Sequence, residues 1–150
     1  METNFEVKIG AIAAQQEEYR PALALCEDGT VEPGSLAEGI REVLDRRNAG
    51  DPAALKLEGR TDLCEYLVIA TATSATHLRA LADEVEYRLS LCGVRALSRD
   101  GKGDGQKWIV LDYGSVMVHI FTSDERERYS LERLFPNAVR VTPGEAGNQN

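Results

Sequence analysis

Few residues in this 150-residue chain are of types, or at spacings, that support chemistry. The densest glycine group is Gly101, Gly103 and Gly105 in DGKGDGQKW. A phosphate-cradling loop opens directly into a helix N-terminus. Here a strand begins at Trp108, so the segment reads as a hairpin turn. The junction Thr71–Ser74 (TATS) joins a strand to a helix, where backbone donors and the positive helix end meet two hydroxyls. Plain N-capping by Thr73 or Ser74 accounts for the same residues. Metal-dependent phosphoryl or nucleotidyl transfer needs converging carboxylates, commonly two on one strand separated by one residue. Asp112 stands alone before Tyr113 and Gly114, and the chain has no Asp-x-Asp pair, so transfer chemistry is not expected. His119 lies among alternating apolar residues and reads as a hydrogen-bonded sheet histidine. His77 reads as a first-turn helix residue, and neither histidine sits in a sequence-adjacent arrangement of nucleophile and base. Trp108 beside the glycine turn either anchors a partner or plugs the sheet.

Composition narrows the function classes. With 43 % hydrophobic and 28 % charged residues the chain has globular composition and enough length for one core. A net charge of -8 disfavours direct binding of nucleic acid and suits a basic protein partner. Cys26, Cys64 and Cys92 are odd in number, far apart and without a CxxC, so neither a disulfide framework nor a zinc site is expected. No cofactor is implied. No apolar run approaches the roughly 18 residues of a membrane span, and the start lacks a secretory pattern, so a cytoplasmic location is expected.

The elements that must position these residues follow from periodicity. Residues 1–34 hold Glu2, Glu6, Glu17, Glu18, Glu27, Asp28 and Glu32 against Lys8 and Arg20. They read as an acidic N-terminal arm, with one weak amphipathic helix on Phe5, Ile9, Ile12 and Ala13 and a linker at EDGTVEPG. Residues 35–141 read as the folded domain and 142–150 as a loose tail. A Ser35/Glu38 capping box starts a helix with Leu36, Ile40, Val43 and Leu44 on one face. A strand over 53–58 and a turn over 59–62 follow. Residues 65–71 are continuously apolar, as in a strand buried on both faces. A second helix carries Leu78, Leu81, Ala82, Val85 and Leu89 to a stop at Gly93. Strands are expected over 94–98, 107–112 and 115–121 as an antiparallel meander, with Val116, Val118 and Ile120 on one face and Met117, His119 and Phe121 on the other. A last helix runs from Ser123 through Leu131, Leu134 and Phe135 to Pro136. The class is α+β: a mixed sheet of about five strands flanked by helices.

Three segments, Ile69–Leu89, Trp108–Phe121 and Ser123–Phe135, together resemble the ribosomal silencing factor (Iojap-like) family. The most specific is WIVLDYGSVMVHIF. The resemblance implies a nucleotidyltransferase-like topology without the catalytic carboxylates, and a binding protein rather than an enzyme. It implies docking on the fourteenth protein of the large ribosomal subunit. The bound factor then blocks the small subunit and represses translation when nutrients are scarce. Free members are often homodimers. Carried over by motif, the partner surface is centred on Trp108, Asp112 and Tyr113, with Gly114 and Ser115 at the adjacent turn and Asp100 and Gly101 at the sheet edge; both rings are expected to face outward. Arg126, Tyr129, Leu131 and Glu132 match the last helix, where structural roles are expected. Ala72, Thr76, Ser115 and Phe135 depart from the family's usual Gly, Arg, acidic residue and Trp. The Ser115 departure puts one charge contact to the partner in question. A nucleotide-binding or nucleotidyltransferase-like enzyme is the alternative.

Overall fold

The computed structural model describes residues 19–57, 64–102, 105–129 and 139–141. The expected arm helix, the 59–62 turn, the end of the last helix with Leu131, Glu132, Leu134 and Phe135, and the tail lie outside them.

The first helix, α1 (Pro33–Arg46), begins at Glu32 rather than at the expected Ser35 box. Pro33 presets the first helical φ. The Glu32 carboxylate accepts from Gly34 N (2.9 Å) and Ser35 N (2.7 Å). Ser35 lies inside the first turn, where its Oγ accepts from Ala24 N (3.0 Å) and donates to the Glu32 carbonyl (2.8 Å). Glu38 pairs instead with Arg41 at 2.7 Å. The segment read as a linker is a closed turn. Leu25 and Val31 form a bridge, Cys26 N donates to Thr30 O, and Asp28 Oδ1 accepts from the Thr30 amide and hydroxyl. Upstream, residues 21–23 cross α1 at Gly39, where an added Cβ would fall 2.8 Å from Leu23 Cδ2 and 3.0 Å from Pro21 Cβ.

Two strands follow, β1 (Gly50–Lys56) and β2 (Tyr66–Ala72), then α2 (Ala75–Ser90). β1 starts earlier than expected because Asp51, at φ +41°, and Pro52 form a bulge between Gly50 and Ala53 rather than a turn before the strand. Ser74 caps α2, its side chain accepting from His77 N at 3.0 Å. Next come β3 (Ser98–Lys102), β4 (Trp108–Asp112), β5 (Val116–Thr122), α3 (Ser123–Tyr129) and a two-residue β6 (Val139–Arg140). The expected strand over 94–98 is displaced to 98–102, so Asp100 and Gly101 belong to a strand and not to a turn.

The sheet order is β3-β4-β5-β2-β1-β6. β2 and β5 pair in parallel, from Tyr66↔Val116 to Ala72↔Thr122, and every other pairing is antiparallel. This is the mixed α+β sheet, with β6 added at one edge. α1 and α2 pack on one face. There Leu36, Ile40 and Leu44 of α1 and Leu78, Leu81 and Leu89 of α2 meet Val68, Ile109, Leu111, Val118 and Ile120, all at most 3 % exposed. Truncating any of these leucines to Ala would cost roughly 2–5 kcal/mol. On the other face, Arg126 of α3 ties the β1 bulge to β2. It donates to Asp51 O (3.1 Å) and Thr71 Oγ1 (2.8 Å) and pairs with Asp51 Oδ2 (3.3 Å), while Arg140 reaches Asp51 Oδ1 (2.8 Å).

Candidate protein-docking face

Strand parity decides which side chains share a surface. In β4, Trp108, Val110 and Asp112 point away from α1 and α2, while Ile109 and Leu111 point toward them. Directly paired residues face the same side. Trp108 opposes Phe121, Val110 opposes His119, and Asp112 opposes Met117. On the β3 side Asp100 opposes Val110 and Ser98 opposes Asp112; on the β2 side Leu67 and Ile69 oppose Met117 and His119. The face is closed at one end, where Leu55, Leu57, Cys64, Leu67, Ile69 and Phe121 are buried together, and Trp108 and Met117 pack against its margin. It opens toward β3, where Asp100 is exposed and Asp112, Met117, His119 and Trp108 are half-buried. Burial pushes the Cys64 thiol up, away from its reactive form.

The Trp108 ring is held from two directions. It stacks on Phe121, with centroids 4.8 Å apart and planes 27° apart. Its Nε1–H donates to His119 Nδ1 at 3.1 Å. The turn beside it is built from backbone. Gly114 takes φ +83°, a left-handed conformation that suits glycine, and its N–H donates to Asp112 Oδ1 at 2.8 Å. The Ser115 carbonyl accepts from Glu65 N (2.9 Å) and Tyr66 N (3.0 Å), which fixes the turn to β2.

Tyr113 departs from the expected outward presentation. One residue beyond Asp112, it falls on the opposite side, is 8 % exposed and belongs to the core under α1 and α2. Its hydroxyl is buried without a hydrogen-bond partner among the described residues. That burial, with the Glu86 charge second, drives its pKa upward. Trp108, Asp112 and Asp100 are therefore brought together on one face, Gly114 and Ser115 form its adjacent turn, Gly101 lies in the exposed edge strand, and Tyr113 lies elsewhere. The sequence reading placed Met117 and His119 together but did not join them to Trp108. Counting outward from the two-residue Gly114–Ser115 turn pairs 113 with 116 and 108 with 121, and reveals the shared face. It also passed over Leu97, 74 % exposed, whose Cδ1 would lie 3.7 Å from a Cβ at Gly114.

The other sequence candidates resolve into local structure. At the TATS junction Thr73 N donates to His77 Nδ1 (3.0 Å), and His77 Nε2 lies 3.1 Å from the Arg47 carbonyl, so this donor set joins α2 to the end of α1. Among the described residues no three His, Cys, Asp or Glu side chains converge as metal ligands would. No helix among them is long and apolar enough to cross a membrane.

This sheet belongs to a recognisable group of proteins. The family described as "Ribosomal silencing factor during starvation" matches residues 30–150. A relative from Haemophilus influenzae, named ribosomal silencing factor RsfS, is 32 % identical over 101 residues, covering 67 % of this chain and 98 % of that protein. The Bacillus subtilis protein of the same name is 33 % identical, over 63 % of this chain and 79 % of its own length. A crystal structure of a Chromobacterium violaceum protein superposes with a TM-score of 0.65 at 28 % identity, covering 70 % of this chain and 87 % of that one. The chain belongs to the ribosomal silencing factor family.

Proposed function

We propose that the chain binds the large ribosomal subunit through that subunit's fourteenth protein, keeps the small subunit from joining, and so represses translation under nutrient limitation, without catalysing a reaction. The observation that carries this reading is the half-open sheet face: the Trp108 indole and the Met117 side chain lie at the margin of a buried apolar cluster, with Asp112 and Asp100 on the same side. An aromatic anchor supplies affinity when buried, and flanking carboxylates steer a basic protein. Tyr113 supports the face from within the core, and Gly114 and Ser115 hold the turn beside it. When no ribosome is available, the same apolar margin suits a second copy of the chain, giving a homodimer that competes with docking.

Co-sedimentation of the full chain with isolated large subunits, with and without small subunits, tests this reading. Wild type should pellet with large subunits and lower the yield of joined ribosomes. A folded Trp108→Ala variant should bind more weakly by about 2 kcal/mol or more, roughly 30-fold. Equal pelleting of the two proteins would remove the indole from the interface and the proposal with it.

A further inference from the structure

The docking face contains a polar contact that the binding reading leaves without a role. An indole N–H can only donate a hydrogen bond, and Trp108 Nε1 lies 3.1 Å from His119 Nδ1. That nitrogen must therefore offer a lone pair, which makes His119 a neutral imidazole with its proton on Nε2. The contact is diagonal across the β4–β5 ladder, because His119 is paired with Val110 and Trp108 with Phe121. Phe121 meets the indole from its flat side and lies nearly parallel to the imidazole as well, with centroids 6.0 Å apart and planes 15° apart. Among the described residues, Phe121 thus meets the Trp108 ring on its face and His119 meets it at its polar edge. Face contact alone leaves the indole free to flip by about 180° about its Cβ–Cγ bond, which keeps the ring plane but carries Nε1 to the opposite side. The directional bond to Nδ1 removes that freedom.

We propose that His119 is the positioning residue of the docking face: its Nδ1 lone pair holds the Trp108 indole in the one orientation that a protein partner meets. The role rests on the reading of this face as the docking site. Its physical benefit is preorganisation. A side chain already immobilised loses less freedom on association, an effect of about 3- to 10-fold in affinity for one ring. It also explains why an apolar surface carries a histidine at its centre, where a further aliphatic residue would bury as well but could not orient an N–H donor.

The test uses the full chain and exploits Trp108 as its single tryptophan. Three variants are compared: His119→Phe, which keeps an aromatic ring but removes the acceptor; His119→Gln, which restores an acceptor on a flexible stem; and Trp108→Ala. Nitrogen-15 NMR of the wild type should show His119 as the Nε2–H tautomer. The indole N–H resonance should move upfield in His119→Phe and return toward its wild-type position in His119→Gln. Tryptophan anisotropy should show more local ring motion in His119→Phe, whose binding to isolated large subunits should weaken by about 3- to 10-fold and recover in part in His119→Gln. An Nδ1-protonated His119 in the wild type overturns the proposal even if no variant folds. So does an indole resonance and subunit affinity that His119→Phe leaves unchanged. If Trp108→Ala binds large subunits as well as wild type, the docking reading itself fails, and the positioning role falls with it. If Trp108→Ala loses binding while His119→Phe does not, docking stands and only the positioning role is lost.

Discussion

Tyr113 provides a quantitative check on the placement of side chains about the sheet. Its ring fills the core on the helix side, and its hydroxyl is buried without a hydrogen-bond partner among the described residues. A buried hydroxyl in that state forfeits its bonds to water, at a cost of about 1–3 kcal/mol. Tyr113→Phe keeps the ring and removes the liability, so it should stabilise the fold by ~1 kcal/mol and raise the melting temperature by about 3 °C for a chain of this size. A pH dependence accompanies the change. Burial raises the pKa of the Tyr113 phenol, so the folded state holds that proton more tightly than the unfolded chain does. The associated stability is fully present below the ordinary tyrosine pKa of about 10 and is lost as pH rises above it. The stability advantage of Tyr113→Phe over wild type should therefore widen in alkali. Urea unfolding at pH 7 and pH 10.5 measures both effects, and co-sedimentation shows whether docking is unaltered. A loss of about 1 kcal/mol or more in the variant would mean that the hydroxyl has a partner in the native protein. Weakened docking at unchanged stability would put the ring on the partner-facing side and refute the parity assignment.

Removing the α2 cap by Ser74→Ala should destabilise the protein by about 1 kcal/mol, seen as a lower urea midpoint with an unchanged slope. Arg126→Ala strips the β1 bulge of its donor to Asp51 O and Thr71 Oγ1 and should cost about 2 kcal/mol, with faster amide exchange at Asp51 and Ala53. An alkylating reagent at neutral pH should modify exposed Cys26 first, then half-buried Cys92, and buried Cys64 last. Burial raises the pKa of Cys92 and Cys64, and the thiolate is the reactive form. Mass spectrometry of timed samples reads the order, and early modification of Cys64 would contradict its burial.

Long periodic elements were legible from residue types alone. α2 has its apolar residues at helical spacing and a serine in capping position, and β2 is apolar enough to be read as buried on both faces; both occur where their patterns place them. The split of β5 into Val116, Val118 and Ile120 against Met117, His119 and Phe121 follows from a period of two and needs no tertiary information. The failures came where distant contacts override local signals. Glu32 caps α1 although glutamate is not a favoured cap, because Ser35 Oγ is engaged by Ala24 from the preceding segment. β3 runs through Asp100–Gly101, a turn signal on its own, because an edge strand is paired on one side only and its exposed residues have few packing demands. β6 has two residues and takes its pairing entirely from β1, so no pattern announces it. Within the candidate site, motif adjacency grouped Tyr113 with Asp112, whereas the pleat separates consecutive residues onto opposite sides.

The parallel pairing of β2 with β5 has a consequence for synthesis. β5 inserts between β4 and β2, so everything from Thr73 to Ser115 must leave the exit tunnel before β2 can gain its second neighbour. Until then the nascent chain holds a β1–β2 hairpin whose inner edge, Tyr66–Ala72, is apolar nearly throughout and offers an unfilled row of amides and carbonyls. Such a flank attracts other nascent chains and invites chaperone capture, and its lifetime is set by the translation of the intervening helix and hairpin. Slow codons placed after α2 should therefore lower the soluble yield of this protein more than slow codons placed after β5.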